Sequence, residues 1–420
     1  MDNFNKRLFA SFSNKTYRAF WAANFFSLIG NWIQQTAQGW LLFRLTNSEQ
    51  MLGLVGFVAQ IPLIAFGLVA GVLADRWDRR RGLLVTQIVA FGQAVLLAVL
   101  TVSGVVKPWH IIALAFVIGS ANAFDLPLRH AFLIELVGPA NLRNAIALNS
   151  MFFNVSRILG PAFAGVLVAS LGEGPCFLIN ALTFTGIISV LAKLRSVSPK
   201  SDEKRQSAPV WKSLKEGLAL AWSSPHMRNP LVLLMCCGMI VAPVLVLLPA
   251  VVARLLNGGP KTLGLMFSCL GAGSLAGAVL LAAGKSDHLL RNIGRAGLLY
   301  GVSLLLVAVS RVAWLSCLGS ALAGFGVLLV SVGTNTQLQS GVSGELRGRV
   351  ASLYMFGYFG LAPLGSLLLG FLGQKFGIAA ALYIGAGWVL AASAWYMRLL
   401  PEMERTHRQA QMPIAAVDEA

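Results

Sequence analysis

From residue 18 to residue 398 the sequence is a train of apolar runs separated by polar breaks, all short but the one at 195–228. A bilayer's hydrocarbon core of ~30 Å is crossed by about 20 residues of helix. Twelve runs of roughly that size can be placed, at 18–43, 52–74, 83–103, 109–128, 144–170, 176–194, 230–253, 262–284, 294–310, 313–335, 350–373 and 377–398. None alternates apolar and polar residues as a membrane strand would, so a closed barrel is excluded. The fold class is an all-α polytopic membrane protein with twelve transmembrane helices. Charged residues make up only 12% of the chain, about half the ~25% of soluble domains, and no sizeable soluble domain is left over.

The basic residues set the expected orientation. Of the 33 Lys and Arg residues, 26 fall in alternate polar segments, counting the N-terminal one, and six in the others. The positive-inside rule then puts both termini in the cytoplasm. Net charge of +17 is spread over these loops rather than gathered on one face, so nucleic acid is not an expected partner. The five cysteines (Cys176, Cys236, Cys237, Cys269, Cys317) lie in or beside apolar runs without metal-type spacing and read as small core residues. Neither a metal nor a cofactor is expected. The first apolar run is a full span without a small-residue cleavage site, unlike a removable signal peptide.

The two halves of the chain echo each other. Leu52-Gly53-Leu54 opens the second run and Leu263-Gly264-Leu265 the eighth, while Asp75 and Arg79 recur as Asp287 and Arg291, again four apart. Asn141-Leu142-Arg143 is likewise answered by Glu345-Leu346-Arg347. Two pseudo-symmetric six-helix bundles are implied. The expected divisions are an N-terminal bundle at 1–195, a cytoplasmic linker at 196–228, a C-terminal bundle at 229–400 and a cytoplasmic tail at 401–420. Within the linker, Trp211, Leu214, Leu218 and Trp222 stand at the spacing of an amphipathic interfacial helix.

One charged stretch interrupts the apolar text, Gly71-Val-Leu-Ala-Asp75-Arg76-Trp-Asp78-Arg79-Arg80-Arg81-Gly82. Ionised side chains cost roughly 2.5–3.5 kcal/mol each at a helix centre on insertion scales, so it reads as a tight polar turn between two spans. Twelve spans, the two-fold repeat, the basic central segment and this turn resemble the major facilitator superfamily of secondary transporters. The likeness covers nearly the whole chain. The loop motif is matched at Gly71, Leu73, Ala74, Asp75, Arg76, Arg79 and Arg80, and departs from the usual pattern where Asp78 replaces glycine.

The resemblance implies a conformational latch made of Gly71, Asp75, Arg76, Arg79, Arg80 and Asp125. In it, Asp75 would sit against the start of the eleventh span, and the basic residue one turn later would pair with an acid at the cytoplasmic end of the fourth, where Asp125 stands. Arg157-Ile-Leu-Gly160-Pro161-Ala-Phe-Ala-Gly165 looks like a looser form of the exporters' Gly-Pro motif, a small-residue face with a bend-inducing proline. Residues 337–366, with Gln337-Leu-Gln339, Gly344-Glu345-Leu346-Arg347-Gly348-Arg349 and Pro363-Leu-Gly365-Ser366, are similar to the siderophore-exporter and macrolide-efflux branch. That branch includes the enterobactin exporters. A monomeric exporter of a small amphipathic molecule in the bacterial cytoplasmic membrane, drawing on the proton gradient, is what the likeness implies.

Candidate cavity residues come from the polar groups inside spans. Asn24, Ser27, Asn31, Gln35 and Gln38 recur at steps of three and four and form one stripe of the first helix. Facing lipid, such groups would be unsatisfied, so they must meet another helix or a watery cavity. Arg157, mid-way along its span, with Asn154 one turn before it, could take an anionic cargo or serve helix carbonyls. Asn180, Asn335, Tyr354 and Tyr358 are secondary candidates. No acid stands clearly at mid-membrane, so no proton carrier can be named.

Enzyme signatures are missing: there is no His-Glu-x-x-His, Gly-x-Ser-x-Gly or Walker sequence. Gly271-Ala-Gly273-Ser-Leu-Ala-Gly277 lies within a span, where small-xxx-small packing explains it. A lysolipid carrier of the same fold, a non-coupled channel and a membrane assembly subunit are the competing readings.

Overall fold

The computed structural model describes residues 15–194, 219, 222, 224–283, 288–340, 342 and 347–411, apart from a few side chains that include those of Asp75 and Arg76. The expected linker helix around Trp211, Leu214 and Leu218, and the repeat partner Asp287, lie outside the described residues. Every long element described is helical. In order these are α1 (Lys15–Thr46), α2 (Glu49–Arg76), α3 (Arg79–Val102), α4 (Pro108–Gly138), α5 (Asn144–Leu171), α6 (Glu173–Lys193) and α7 (Pro225–Leu255). Then follow α8 (Pro260–Ala283), α9 (Leu289–Val309), α10 (Ala313–Ser340), α11 (Arg347–Phe359), α12 (Ala362–Phe376), α13 (Ile378–Arg398) and α14 (Leu400–Gln411). The eleventh span is broken into α11 and α12 beside Gly360. Among the described residues, eleven spans are long and apolar enough to cross a membrane by length and composition. The remaining one, α1, is long enough, but its amide-rich stripe lowers its hydropathy.

Local chemistry explains where these helices start and stop. Ser48 caps α2, its side chain accepting from the Met51 amide, and Asp78 caps α3 by accepting from the Arg81 amide at 3.1 Å. Asp78 has φ −58°, a conformation open to any residue, so no glycine is required where the superfamily usually has one. The chain turns from α4 into α5 at Gly138, whose φ of +71° is left-handed. The fourth span therefore runs on to residue 138 rather than ending near 128. Arg129, expected in a loop, is inside it.

The chain falls into two compact units, Met1–Lys204 with Val246–Gly271, and Arg205–Leu245 with Ala272–Ala420. In the first, α1, α3, α4 and α6 share a core of Phe20, Leu83, Ala90, Leu128, Phe132, Phe184 and Ile187. Helix α3 is patterned inside out: Val85, Ile88, Leu96 and Val99 are exposed while Thr86, Gln87 and Gln93 are buried. That suits hydrocarbon, where apolar burial no longer drives helices together and small residues and hydrogen bonds take its place.

Small residues also join the second-half helix ends to this unit. A Cβ on Gly165 of α5 would lie 2.8 Å from the Pro260 carbonyl oxygen and 3.2 Å from the Gly264 Cα, so α5 and α8 touch backbone to backbone. Gly160 packs in the same way on Ile29 and Trp32 of α1. In the second unit, Gly273 packs on the backbone of Ala321 and Gly365 on that of Met239, closer still. The terminal helix α14 is held to α9 by an Arg291–Glu404 ion pair of 3.2 Å and buries Leu400 and Met403.

Candidate functional site

The charged turn after α2 fastens three helices of the first unit. Arg79 is paired with Glu135, on the last turn of α4. Arg80 donates to the Leu191 and Ala192 carbonyl oxygens at 2.6 and 2.9 Å, closing the end of α6 where helical carbonyls lack partners. Arg81 lies 3.5 Å from Asp78. The expected Arg79–Asp125 pairing is therefore corrected. Asp125 sits ten residues earlier on α4, about 15 Å at 1.5 Å per residue, which is too far for the turn to reach. Glu135 was missed because the fourth span was ended too soon.

Asp125 instead closes on a charge of its own helix. Arg129 grips it through Nε at 2.7 Å and Nη2 at 3.1 Å, a fork on one turn. Thr86 and Gln87 of α3 donate to the same carboxylate at 2.8 and 2.7 Å. The free arm of Arg129 reaches the amide oxygen of Asn24 on α1. Three helices thus meet on one ion pair, with side-chain exposures of 14% for Asp125 and 21% for Arg129. Of the predicted stripe, Asn24 belongs here, as an anchor for Arg129.

A second polar system lies further along the same helices. Asn180 of α6 donates to Gln34 at 2.8 Å and to Asn31 at 3.3 Å, and Gln34 donates to Gln93 of α3 at 2.8 Å. Gln34 and Gln93 are buried, whereas Asn31 and Gln35 are exposed and Gln38 is partly so. The predicted stripe is split: Asn24 and Ser27 turn inward and Asn31 and Gln35 outward. Gln34, one position off the stripe, and Gln93 were missed. Their signal was the rarity of amides in an otherwise apolar α3.

The remaining candidates stand apart from these systems. Arg157 lies over the Trp32 ring at 6.0 Å, and Asn154 donates to the Ser150 carbonyl one turn back in its own helix. Pro161, lacking an N–H, leaves the Arg157 carbonyl without its helical donor, and Gly271 of α8 packs beside that oxygen. In the second unit, Tyr354 shares a 2.6 Å hydrogen bond with Ser331 and stacks on Tyr358 at 6.4 Å, while Asn335 accepts from Gln339. Among the described residues, no cluster of His, Cys, Asp and Glu could hold a metal.

Two further ion pairs sit at the opposite helix ends. Arg44 forks onto Glu173 at 2.8 and 3.0 Å, tying α1 to α6. Arg254 of α7 lies over Phe43 and reaches Glu49 at 3.3 Å and the Asn47 carbonyl at 3.1 Å. The Ser268 hydroxyl of α8 donates to the Ile158 carbonyl of α5 at 2.7 Å. The ends of α7 and α8 are thereby locked onto α1, α2 and α5 inside the first unit.

A wholly helical chain of spans in two six-helix bundles, with ion pairs at both ends of the first unit's helices and amides buried among α1, α3 and α6, belongs to the class of membrane carriers. The chain belongs to the major facilitator superfamily, matching its Transmembrane secretion effector family over residues 7–420. It is 27% identical over 361 residues to the staphyloferrin A transporter of Staphylococcus aureus, covering 86% of this chain and 90% of that one. It is 23% identical over 423 residues to the enterobactin exporter EntS of Citrobacter koseri, covering 96% of each. Multidrug and macrolide efflux proteins are also among its relatives. The crystal structure of the nucleoside transporter NupG superposes with a TM-score of 0.72 at 14% identity, over 92% of this chain and 99% of that one, a likeness of fold.

Proposed function

We propose that this chain exports a small amphipathic molecule, a siderophore or a drug, by alternating access, using the proton gradient of the bacterial cytoplasmic membrane. The observation that carries the reading is the outward pair Asn31 and Gln35, backed by the buried Asn180–Gln34–Gln93 amides, in a chain whose relatives include siderophore and drug exporters. Uncharged donors and acceptors exposed on a spanning helix have a use where water or cargo meets them and a cost where lipid does. Asn154, Arg157, Asn335, Tyr354 and Tyr358 are the further polar side chains offered to such a cavity. Arg157, the charged one, favours cargo with an anionic group.

Alternating access is supported by the two sets of fastenings. On this reading the Arg79 turn faces the cytoplasm and the Arg254–Glu49 pair faces outward, so the tying of α7 and α8 onto α1, α2 and α5 closes the outer side. The carrier acts as a monomer with both termini inside.

The test is export of staphyloferrin A and of ethidium from cells lacking their own exporters, with and without this chain, followed by counterflow in proteoliposomes. Saturable export that speeds up with cargo on the far side is expected. Unsaturable current indifferent to the far side would make it a channel.

A further inference from the structure

The eleventh span is opened in its middle. Helix α11 ends at Phe359, 12 residues after Arg347, and α12 begins at Ala362, 14 residues before Phe376, about 18 and 21 Å by helical rise. Gly360 turns back to donate to the Phe356 carbonyl at 2.7 Å, and a Cβ there would lie 2.5 Å from the same oxygen, so the bend needs glycine. Pro363, lacking an N–H, leaves the Phe359 carbonyl without its helical donor, and Leu361 starts α12 with no side-chain cap. Proline alone does not account for the opening. In the first half Pro161 follows Arg143 by 18 residues, much as Pro363 follows Arg347 by 16, and α5 runs through it unbroken.

Unwound backbone at membrane depth does not face hydrocarbon; it is buried in protein or lines a watery cavity. This break is not wholly buried, since Phe359 is 37% exposed and Gly360 and Leu361 are partly so. Aromatic and hydroxyl groups gather beside it, all within the second unit. The Tyr354 and Tyr358 rings lie within 6° of parallel, and the Ser331 bond fixes Tyr354 to α10. Gly238 of α7 packs on the Tyr358 carbonyl, which a Cβ would approach to 2.5 Å, and so draws α7 onto α11 at the break. Tyr300 of α9 is 2% exposed and within electrostatic reach of both Tyr358 and Cys237, the neighbour of Gly238. Its hydroxyl has no hydrogen-bond partner among the described residues. Buried hydroxyls are nearly always bonded, so this one calls for a partner.

Resting on the export reading above, we propose that the break is a cargo subsite for a planar aromatic ring that carries a hydrogen-bond donor. The ring stacks on the Tyr354 and Tyr358 faces, and its N–H or O–H donates to the Phe359 carbonyl or the Tyr300 hydroxyl oxygen. Helices α7 to α13 carry no acid. A donor or a positive charge therefore finds only carbonyls, hydroxyls, side-chain amides and ring faces there, and those suit an aromatic amine or phenol.

Binding to the purified full chain in lipid tests the subsite without transport. Proflavine is a planar cation with two aryl amines, and 10-methylacridinium is a planar cation of similar shape with no N–H. By fluorescence polarisation the wild type should prefer proflavine by about fivefold. Tyr300→Phe, which removes only the hydroxyl, and Pro363→Ala, which returns a donor to the Phe359 carbonyl, should each shrink that preference. Tyr358→Leu should weaken both dyes by about fivefold, and Tyr358→Phe should keep them. A wild type that binds the dyes equally, or binds neither, overturns the proposal, as does a preference unchanged in both Tyr300→Phe and Pro363→Ala. Proflavine export from cells and proteoliposomes separates the two levels. Export by the wild type that is unaltered in folded Tyr358→Leu leaves the exporter and removes the subsite. The expected binding pattern without any export keeps the site and ends the exporter reading.

Discussion

Arg79 is ion-paired with Glu135, so the polar turn between α2 and α3 is fastened to the last turn of α4 rather than to Asp125. Both side chains are mostly buried, and a lone partner would keep an uncompensated charge. Glu135→Gln should cost about 1–3 kcal/mol of stability. The exchange R79E/E135R should regain part of it. Melting in detergent of the wild type, both single variants and the exchange gives the coupling, and a coupling of zero would mean that the pair holds nothing.

Asp78 stands where the superfamily usually has glycine, and its side chain caps α3 at a negative φ. Asp78→Ala should lose about 0.5–2 kcal/mol, whereas Asp78→Gly should lose only a few tenths. Equal losses in the two variants, read from thermal melts, would show that the cap bond is not what matters there.

Arg254 holds Glu49 from α7, and Glu49 is only 4% exposed. Arg254→Gln should loosen that end and favour the state in which it is open. In a chain keeping Cys269 as its one cysteine, maleimide labelling from the outside should speed up several-fold. Unchanged labelling together with unchanged transport would argue that the pair is ornamental to the cycle.

Gly264 leaves no room beside Pro161, and Gly165 faces it from α5. Gly264→Ala should cost about 1–3 kcal/mol through overpacking. Because α5 and α8 must part if this side opens, transport should drop more steeply than the amount of folded protein, measured as counterflow per unit of chain in the membrane.

Asn180 donates to both Gln34 and Asn31. Asn180→Leu removes the donor behind the outward amide without touching the exposed surface. Export of staphyloferrin A and ethidium should change in ratio, with KM affected more than the maximal rate. A uniform fall in both would indicate lost folding instead of lost recognition.

The sequence made the helices and the membrane legible because apolar length is a local property. A run such as 83–103 is written in consecutive residues, and a cap such as Asp78 needs only its neighbours. Boundaries were less legible where a helix carries charge: Asp125, Arg129 and Glu135 looked like the end of the fourth span, yet they are matched inside the protein and the helix continues to Gly138. The amide stripe of α1 was visible by its spacing. Its division into inward Asn24 and Ser27 and outward Asn31 and Gln35 was not, because neighbours on α3, α4 and α6 decide it.

By itself, then, the sequence determined the class of fold, the two-fold repeat and the polar residues that hydrocarbon cannot leave unpartnered, since transfer free energy acts on each segment where it stands. Only the tertiary structure decided the partners: Arg79 with Glu135, Arg80 with the end of α6, Asp125 with Arg129, Thr86 and Gln87, and Arg254 with Glu49. Pairing is a matter of a few ångströms between helices remote in the chain. Many pairings suit the same residues, and packing selects one.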